Sequence, residues 1–223
     1  MRQYKRLTLL CGHYGSGKTN VALNMAFELK KCHENVAIAD LDIVNPYFRT
    51  KDSSEELKEK GIRLIASEYA GSNLDIPAMP QDMYAICDDK KLHAVVDVGG
   101  DDRGALALGR LTPAILEEND YEMLMVVNCY RPLTPDAQST IEVMREIELA
   151  GGIRFTGIVN NSNLGDQTKA CDVLASLAYA KAVSALSNLP LVLTSVKEPL
   201  YESLKNKIPD LFPMKLQKKL LDT

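Results

Sequence analysis

Eight consecutive residues near the amino terminus have the spacing of a phosphate-binding loop. Gly12-His13-Tyr14-Gly15-Ser16-Gly17-Lys18-Thr19 matches the pattern G-x-x-x-x-G-K-[ST] at every fixed position. Glycines let the backbone wrap closely around phosphate, and the amides from about Gly15 to Thr19 would point inward. We expect Lys18 to contact the β- and γ-phosphates of a nucleoside triphosphate and the Thr19 hydroxyl to bind Mg²⁺.

A second segment, Val95-Val96-Asp97-Val98-Gly99-Gly100, is an apolar run that ends with one carboxylate and a glycine pair. Ligands of open α/β sheets lie beyond the carboxyl ends of the strands, so this pattern is typical of a Walker B strand leading into a switch loop. We expect Asp97 to hold a water on Mg²⁺ and the amide of Gly99 or Gly100 to sense the γ-phosphate. The alternative is a strand-end Asp that only caps a turn.

A third segment, residues 38–46, places Asp40 and Asp42 at positions i and i+2, on one face of a strand. Solvation at the start of a loop is enough to explain Asp40. Asp42 is the better candidate for contacting Mg²⁺ or positioning the attacking water. The residues that follow it would form a loop near the γ-phosphate, where Arg49 would contact phosphate or form a surface salt bridge.

Short apolar segments alternate with helical segments, which predicts a parallel sheet covered by helices on both faces. The predicted strands are residues 7–11, 36–41, 62–66, 94–98, 123–128, 155–160 and 190–194. The predicted helices are residues 18–31, 53–60, 81–88, 104–118, 136–150, 166–187 and 199–206. The expected architecture is one doubly wound α/β domain over residues 1–223, with the phosphate loop between the first strand and the first helix.

The composition excludes several classes of protein. Hydrophobic residues make up 46% of the chain and the net charge is −4, so we expect a large core and no general binding of nucleic acid. Five scattered cysteines without a Cys-x-x-Cys pair suit free thiols in a reducing compartment. We find neither a signal peptide nor a run of roughly 18 apolar residues, and therefore expect a cytoplasmic protein without a stable membrane anchor.

The chain resembles the MinD/ParA group of P-loop ATPases, in the class that includes the nitrogenase iron protein and dethiobiotin synthetase. The likeness rests on residues 12–19, Asp40-Leu41-Asp42, Asp97-Val98-Gly99-Gly100 and Gly157-Ile158-Val159-Asn160. It implies a mostly parallel, seven-stranded sheet with the P-loop strand in the centre. It also implies ATP binding, Mg²⁺-dependent hydrolysis and, in many members, an ATP-dependent homodimer.

Two positions bear on the details of this resemblance. In this group an Asn at the end of the corresponding strand resembles an adenine contact, which points to Asn160. The window Asn160-Asn161-Ser162-Asn163 has no carboxylate of the kind that recognises guanine, so ATP is favoured over GTP; a simple turn cluster is the alternative. His13 stands where many members carry a signature lysine that reaches the partner's phosphate, or it is a loop histidine of no consequence.

These features lead to competing functional hypotheses. The first is a nucleotide-switch ATPase with slow basal turnover, in which Lys18 and Asp42 act in catalysis and the protein partner is unknown. The second is an ATP-dependent ligase or kinase of the dethiobiotin synthetase or cobyrinate amidation type, with Arg103 and Arg110 recognising a small carboxylate substrate. A nucleotide-stabilised scaffold is a third. The basic tail, residues 214–221, resembles a MinD membrane-targeting tail only faintly, and a packing role is favoured.

Overall fold

An eight-stranded sheet forms the centre of the protein in a computed structural model. The model describes residues 2–41, 51–66, 81–100 and 102–216, and of residues 51–53, 81, 102 and 103 it describes the backbone alone. The strands are β1 (Leu7–Cys11), β2 (Val36–Leu41), β3 (Arg63–Ala66), β4 (His93–Val98), β5 (Tyr121–Val127), β6 (Gly157–Asn160), β7 (Leu191–Lys197) and β8 (Leu211–Met214). Their order is β3-β2-β4-β1-β5-β6-β7-β8 and every neighbouring pair is parallel, so β1 lies near the middle, as expected.

Helices cover both faces of this sheet. They are α1 (Lys18–Lys30), α2 (Lys51–Glu59), α3 (Gln81–Asp88), α4 (Asp102–Gly109), α5 (Thr112–Glu118), α6 (Ala137–Gly151), α7 (Ala170–Ser187) and α8 (Glu198–Leu204). Leu10 and Val95 belong to the core under α1 and α2, whereas Leu9 and Val96 belong to the core under α3 to α7. Successive strand residues point to opposite faces, which explains why these strands are apolar along their whole length.

The sheet has one strand more than the seven predicted. The additional strand is β8, which pairs with β7 at the edge of the sheet and contains Pro213. Proline within a four-residue apolar run argues against a strand in the sequence. It is tolerated here because an edge strand can turn the nitrogen that lacks a hydrogen away from its neighbour.

The helix predicted over residues 104–118 is two helices. α4 ends at Gly109, and α5 starts at Thr112 with Pro113 in its first turn. Proline removes a backbone donor and clashes with the preceding turn, so one continuous helix through Pro113 is disfavoured. The Thr112 hydroxyl stabilises the new start by donating to the carbonyl oxygen of Gly151, at 2.7 Å.

The described part of the carboxyl-terminal segment packs against the body of the protein. Met214 ends β8 and is buried, and the Lys215 amide donates to Asn24 Oδ1 in α1 at 2.9 Å. Asn24 Nδ2 in turn donates to the Lys215 carbonyl oxygen at 3.1 Å. Residues 214 and 215 therefore pack against β7 and α1. Residues 217–221 of the tail lie outside the described residues, so the packing role of the whole tail stays a prediction.

One helix, α7, is long enough and apolar enough to cross a membrane by length and composition alone. Core helices of globular proteins pass the same test. In this fold α7 packs against β6, β7 and α6, and its side chains Val173, Ser176, Ala180 and Val183 are buried.

Candidate functional site

The phosphate-type loop connects the carboxyl end of β1 to the first turn of α1. The Ser16 amide donates to the His13 carbonyl oxygen at 3.0 Å, which closes a turn within the loop. Gly17 has a φ of 85°, in the left-handed region that favours glycine. A Cβ at Gly17 would lie 2.3 Å from Asn161 Nδ2, so a side chain there is excluded by space as well.

The start of α1 brings two kinds of positive group together. Gly17 offers no side-chain cap, and the first turn of α1 has no acidic residue, so the first amides are left for another acceptor. Lys18 is only 6% exposed, and its ammonium forms no salt bridge with the described residues. Phosphate at this helix amino terminus would pair with both the amides and the ammonium.

Two of the three residues predicted to bind Mg²⁺, Thr19 and Asp97, belong to the described part of the chain, and they lie next to each other. Thr19 Oγ1 donates to Asp97 Oδ2 at 2.5 Å, and Asp97 is 1% exposed. A hydroxyl and a carboxylate are hard oxygen ligands of the kind that Mg²⁺ prefers, so the pair fits a magnesium site. Asp97 pairs in register with Asp40 of β2, which is also buried and lies on the same face of the sheet. Asp42 lies outside the described residues.

The glycine pair after β4 contacts the loop backbone directly. A Cβ on Gly100 would lie 2.3 Å from the Gly12 carbonyl oxygen and 3.0 Å from the Tyr14 amide nitrogen. A Cβ on Gly104, in α4, would lie 2.4 Å from Gly99 Cα. The loop, the end of β4 and the start of α4 are therefore packed backbone to backbone, which only glycine permits.

Asn161 supports the loop from the end of β6, two strands away from β1 in the sheet. Its Nδ2 donates to the Ser16 carbonyl oxygen at 2.6 Å, and its Oδ1 accepts from Ser195 Oγ at 2.5 Å. All three residues are buried. The sequence analysis did not assign this role to Asn161, because nothing in a run of polar turn residues indicates which amide points back to residue 16.

Asn160, predicted to contact adenine, is fully buried in this structure. Its Nδ2 donates to Ser176 Oγ at 2.9 Å and its Oδ1 accepts from the Ser162 amide at 3.2 Å. A base could reach this amide only if both bonds were exchanged. The cavity beside Asn163 and Lys197 has about 20 Å³, which is roughly room for one water molecule.

The remaining sequence candidates are placed as follows. His13 is half-buried, and its Nδ1 lies 3.0 Å from the Tyr14 carbonyl oxygen. Arg110 is exposed and follows the end of α4 that is farther from Gly100, so the structure does not bring it to the loop. The side chain of Arg103 and the whole of Arg49 lie outside the described residues.

Solved structures match this fold, whereas no protein-family model and no curated protein matches the sequence. Chloroplast FtsY from Physcomitrella patens has a TM-score of 0.56 and 17% identity, over 89% of this chain and 60% of that one. FtsY from Thermotoga maritima has a TM-score of 0.56 and 18% identity, over 86% and 62%. FlhF in complex with GTP and Mg²⁺ has a TM-score of 0.54 and 12% identity, over 86% and 66%.

These likenesses concern the fold. The chain spans between 60% and 66% of the length of the three neighbours. They do not confirm the MinD/ParA or nitrogenase-like class that the sequence resembles. Together with the loop geometry, they show that the chain has the fold of the P-loop nucleotide-binding proteins.

Proposed function

We propose that this protein binds Mg·ATP at residues 12–19 and hydrolyses it slowly as a nucleotide switch. The observation that carries the proposal is the 2.5 Å contact between Thr19 and Asp97. Beside it lies the buried residue Lys18, whose ammonium forms no salt bridge in the described structure. Together these groups offer positive charge for phosphates and oxygen ligands for a divalent cation.

Each group has a separate task in this proposal. Lys18 and the first amides of α1 compensate charge on the β- and γ-phosphates. Thr19 and Asp97 would hold Mg²⁺, and the ion would supply further positive charge to compensate the phosphates. Asp42 positions the attacking water, and the Gly99 or Gly100 amide responds to the γ-phosphate; both roles stay predictions.

Close backbone packing supports a switch rather than an isolated site. Gly100 lies against Gly12, and Gly104 lies against Gly99. A loop that changes shape with its nucleotide would therefore displace the end of β4 and the start of α4. The affinity for a partner that binds at this surface would then depend on the nucleotide. The partner could be a second copy of this chain, which would form an ATP-dependent homodimer.

ATP is the proposed nucleotide because the segment from Asn160 to Asn163 contains no carboxylate. A carboxylate there would accept hydrogen bonds from the two donors that guanine presents. One observation favours GTP as a second candidate: the neighbour FlhF was solved with GTP and Mg²⁺. Calorimetric titration with ATP and GTP in Mg²⁺ separates the two, and the proposal expects the tighter binding for ATP.

Turnover measurements test the hydrolysis. We expect Lys18→Ala to lower turnover at saturating Mg·ATP about a thousandfold, because this charge is used at the reacting phosphate. Asp42→Ala should lower it about a hundredfold or more. Lys181→Ala, which removes an exposed lysine of α7, is the matched control. Full turnover in both site variants would refute the proposal.

The ligase alternative requires a substrate carboxylate beside the γ-phosphate. Arg110 follows the far end of α4, so its position does not support the carboxylate-binding role that this alternative assigns to it. The alternative retains a simple test: a small carboxylate that accelerates ADP release would support a ligase or kinase over a switch.

A further inference from the structure

A second cation lies beside the phosphate loop and belongs to none of the motifs. An ideal Cβ built on Gly15 would lie 3.6 Å from Arg131 Nε, 3.7 Å from Arg131 Cδ and 3.9 Å from Arg131 Cζ. The guanidinium therefore packs over the part of the loop that carries no side chain. In the sequence, Arg131 precedes Pro132 and indicates only a turn.

One polar atom of Arg131 lacks a partner among the described residues. Its Nε is buried without a hydrogen bond to that part of the protein, and Arg131 forms no salt bridge there. The Ser16 hydroxyl, next to Gly15, is likewise buried without a hydrogen-bond partner in the described ranges. Two unsatisfied donors and the Lys18 ammonium thus surround one loop, which is the arrangement that an anion would complete.

The segment after β5 holds Arg131 in place. The Arg131 amide donates to the Asn128 carbonyl oxygen at 3.2 Å, and the Thr134 amide donates to the Arg131 carbonyl oxygen at 3.2 Å. Asn128 Oδ1 accepts from the Tyr130 amide at 3.0 Å, and Asn128 is fully buried. The Tyr130 hydroxyl donates to the Asp172 carbonyl oxygen at 3.0 Å. These bonds fix the backbone from which the Arg131 side chain extends to Gly15.

We propose that Arg131 is a phosphate-binding residue that reaches, from the segment after β5, the nucleotide phosphates held by the loop. The planar guanidinium can donate two parallel hydrogen bonds to phosphate oxygens, which the Lys18 ammonium cannot do. The inference rests on the proposed nucleotide site and adds to it a cation supplied in cis.

The expected effect depends on phosphate charge. Arg131→Gln should weaken binding of a non-hydrolysable ATP analogue about tenfold to hundredfold, because it removes charge-assisted hydrogen bonds to phosphate. Binding of ADP should weaken less if the contact includes the γ-phosphate. Arg131→Lys should recover part of the loss, because it restores charge without the planar donor pair.

Calorimetric titration with the ATP analogue and with ADP, at two salt concentrations, tests this inference. Arg154→Gln is the matched control, since it removes the same charge from an exposed residue before β6, at the other edge of the sheet. Thermal midpoints without nucleotide show whether Arg131→Gln folds as the wild type does. If it does not, Arg131→Lys supplies the comparison.

The outcomes separate the two proposals. Wild-type protein that binds neither nucleotide refutes the proposed function, whatever the variants do. Wild-type binding with equal affinity in Arg131→Gln and Arg154→Gln refutes the role of Arg131 alone. Loss of affinity in Arg131→Gln with an unchanged salt dependence would also overturn it, because a phosphate contact must contribute to that dependence.

Discussion

The two edges of the sheet hold charge in opposite ways. At the edge formed by the amino ends of the strands, Arg6 is 5% exposed, pairs with Glu118 and donates to backbone carbonyl oxygens of Ile86 at 2.9 Å and Leu92 at 2.8 Å. Hydrogen bonds from Arg6, opposed by burial, hold the pKa of Glu118 below its ordinary value. At the edge formed by the carboxyl ends, Lys18 and Arg131 form no salt bridge with a described residue.

This contrast locates function better than cavity size does. The amino edge holds a cavity of about 600 Å³, bordered by Arg2, Lys5 and Arg6. Each of these cations already has a carboxylate partner in the protein. The loop edge instead has Lys18 and Arg131, which form no salt bridge with a described residue. Changes at the amino edge should therefore affect folding, and changes at the loop edge should affect nucleotide binding.

The largest effect is expected at the amino edge. Arg6→Ala removes one partner of a buried pair and should lower the free energy of unfolding by about 3–5 kcal/mol. Urea unfolding measures this loss. Lys5→Ala, in the exposed pair with Asp120, should change it by less than about 1 kcal/mol. Altered nucleotide affinity in folded Arg6→Ala protein would contradict the division between the edges.

A methyl group added at Gly100 tests the other edge. Its Cβ would overlap the Gly12 carbonyl oxygen at 2.3 Å, so the loop must shift. We expect Gly100→Ala to weaken nucleotide binding about tenfold or more, since strain of this kind costs about 1–3 kcal/mol. Gly109→Ala meets its nearest atom at 3.7 Å and is the control in the same titration. Equal affinities would show that the loop does not depend on this contact.

A smaller effect is expected where Asn161 supports the loop. Asn161→Ala removes the bond to the Ser16 carbonyl oxygen and leaves Ser195 Oγ without one acceptor. The free energy of unfolding should fall by about 1–2 kcal/mol. Nucleotide affinity should fall as well, because the loop loses its support. If Ser195→Ala alone has the whole effect, then the bond to residue 16 contributes nothing.

The smallest effect is a pH dependence at the amino edge. The rings of His33 and His93 stack with centroids 3.6 Å apart, and burial, then the positive charges of His33 and Arg6, lower the pKa of His93 below its ordinary 6.5. The folded state therefore binds fewer protons than the unfolded state near pH 6, and stability should fall as the pH drops below about 6.5.

Unfolding curves between pH 7.5 and pH 5 measure this dependence. His93→Gln should flatten it without changing nucleotide affinity at pH 7.5. The same slope in His93→Gln and wild-type protein would show that another group is responsible.

The fold and the centre of the site could be predicted from local patterns. The loop lies directly between β1 and α1, and Asp97, the last residue but one of β4, lies beside Thr19, as the motifs predicted. The eighth strand could not be predicted, because Pro213 is acceptable only in a strand at the outer side of the sheet. Which strand is outermost depends on the strand order, which the sequence does not show. The sequence also did not show that Pro113 separates two helices, of which α4 packs against α6 and α5 against β5, rather than kinking one.

The sequence by itself determined that the chain can hold phosphate, because glycine conformations, an amide-rich helix start and one lysine are fixed by neighbours along the chain. Only the tertiary structure decided which distant side chains join them. It turns Asn161 toward the loop and buries Asn160, although the two are adjacent and chemically identical. It also brings Arg131 from the end of β5 to Gly15. Parallel strands bring their carboxyl ends together at one edge, and the contacts made there depend on strand order, which no local pattern records.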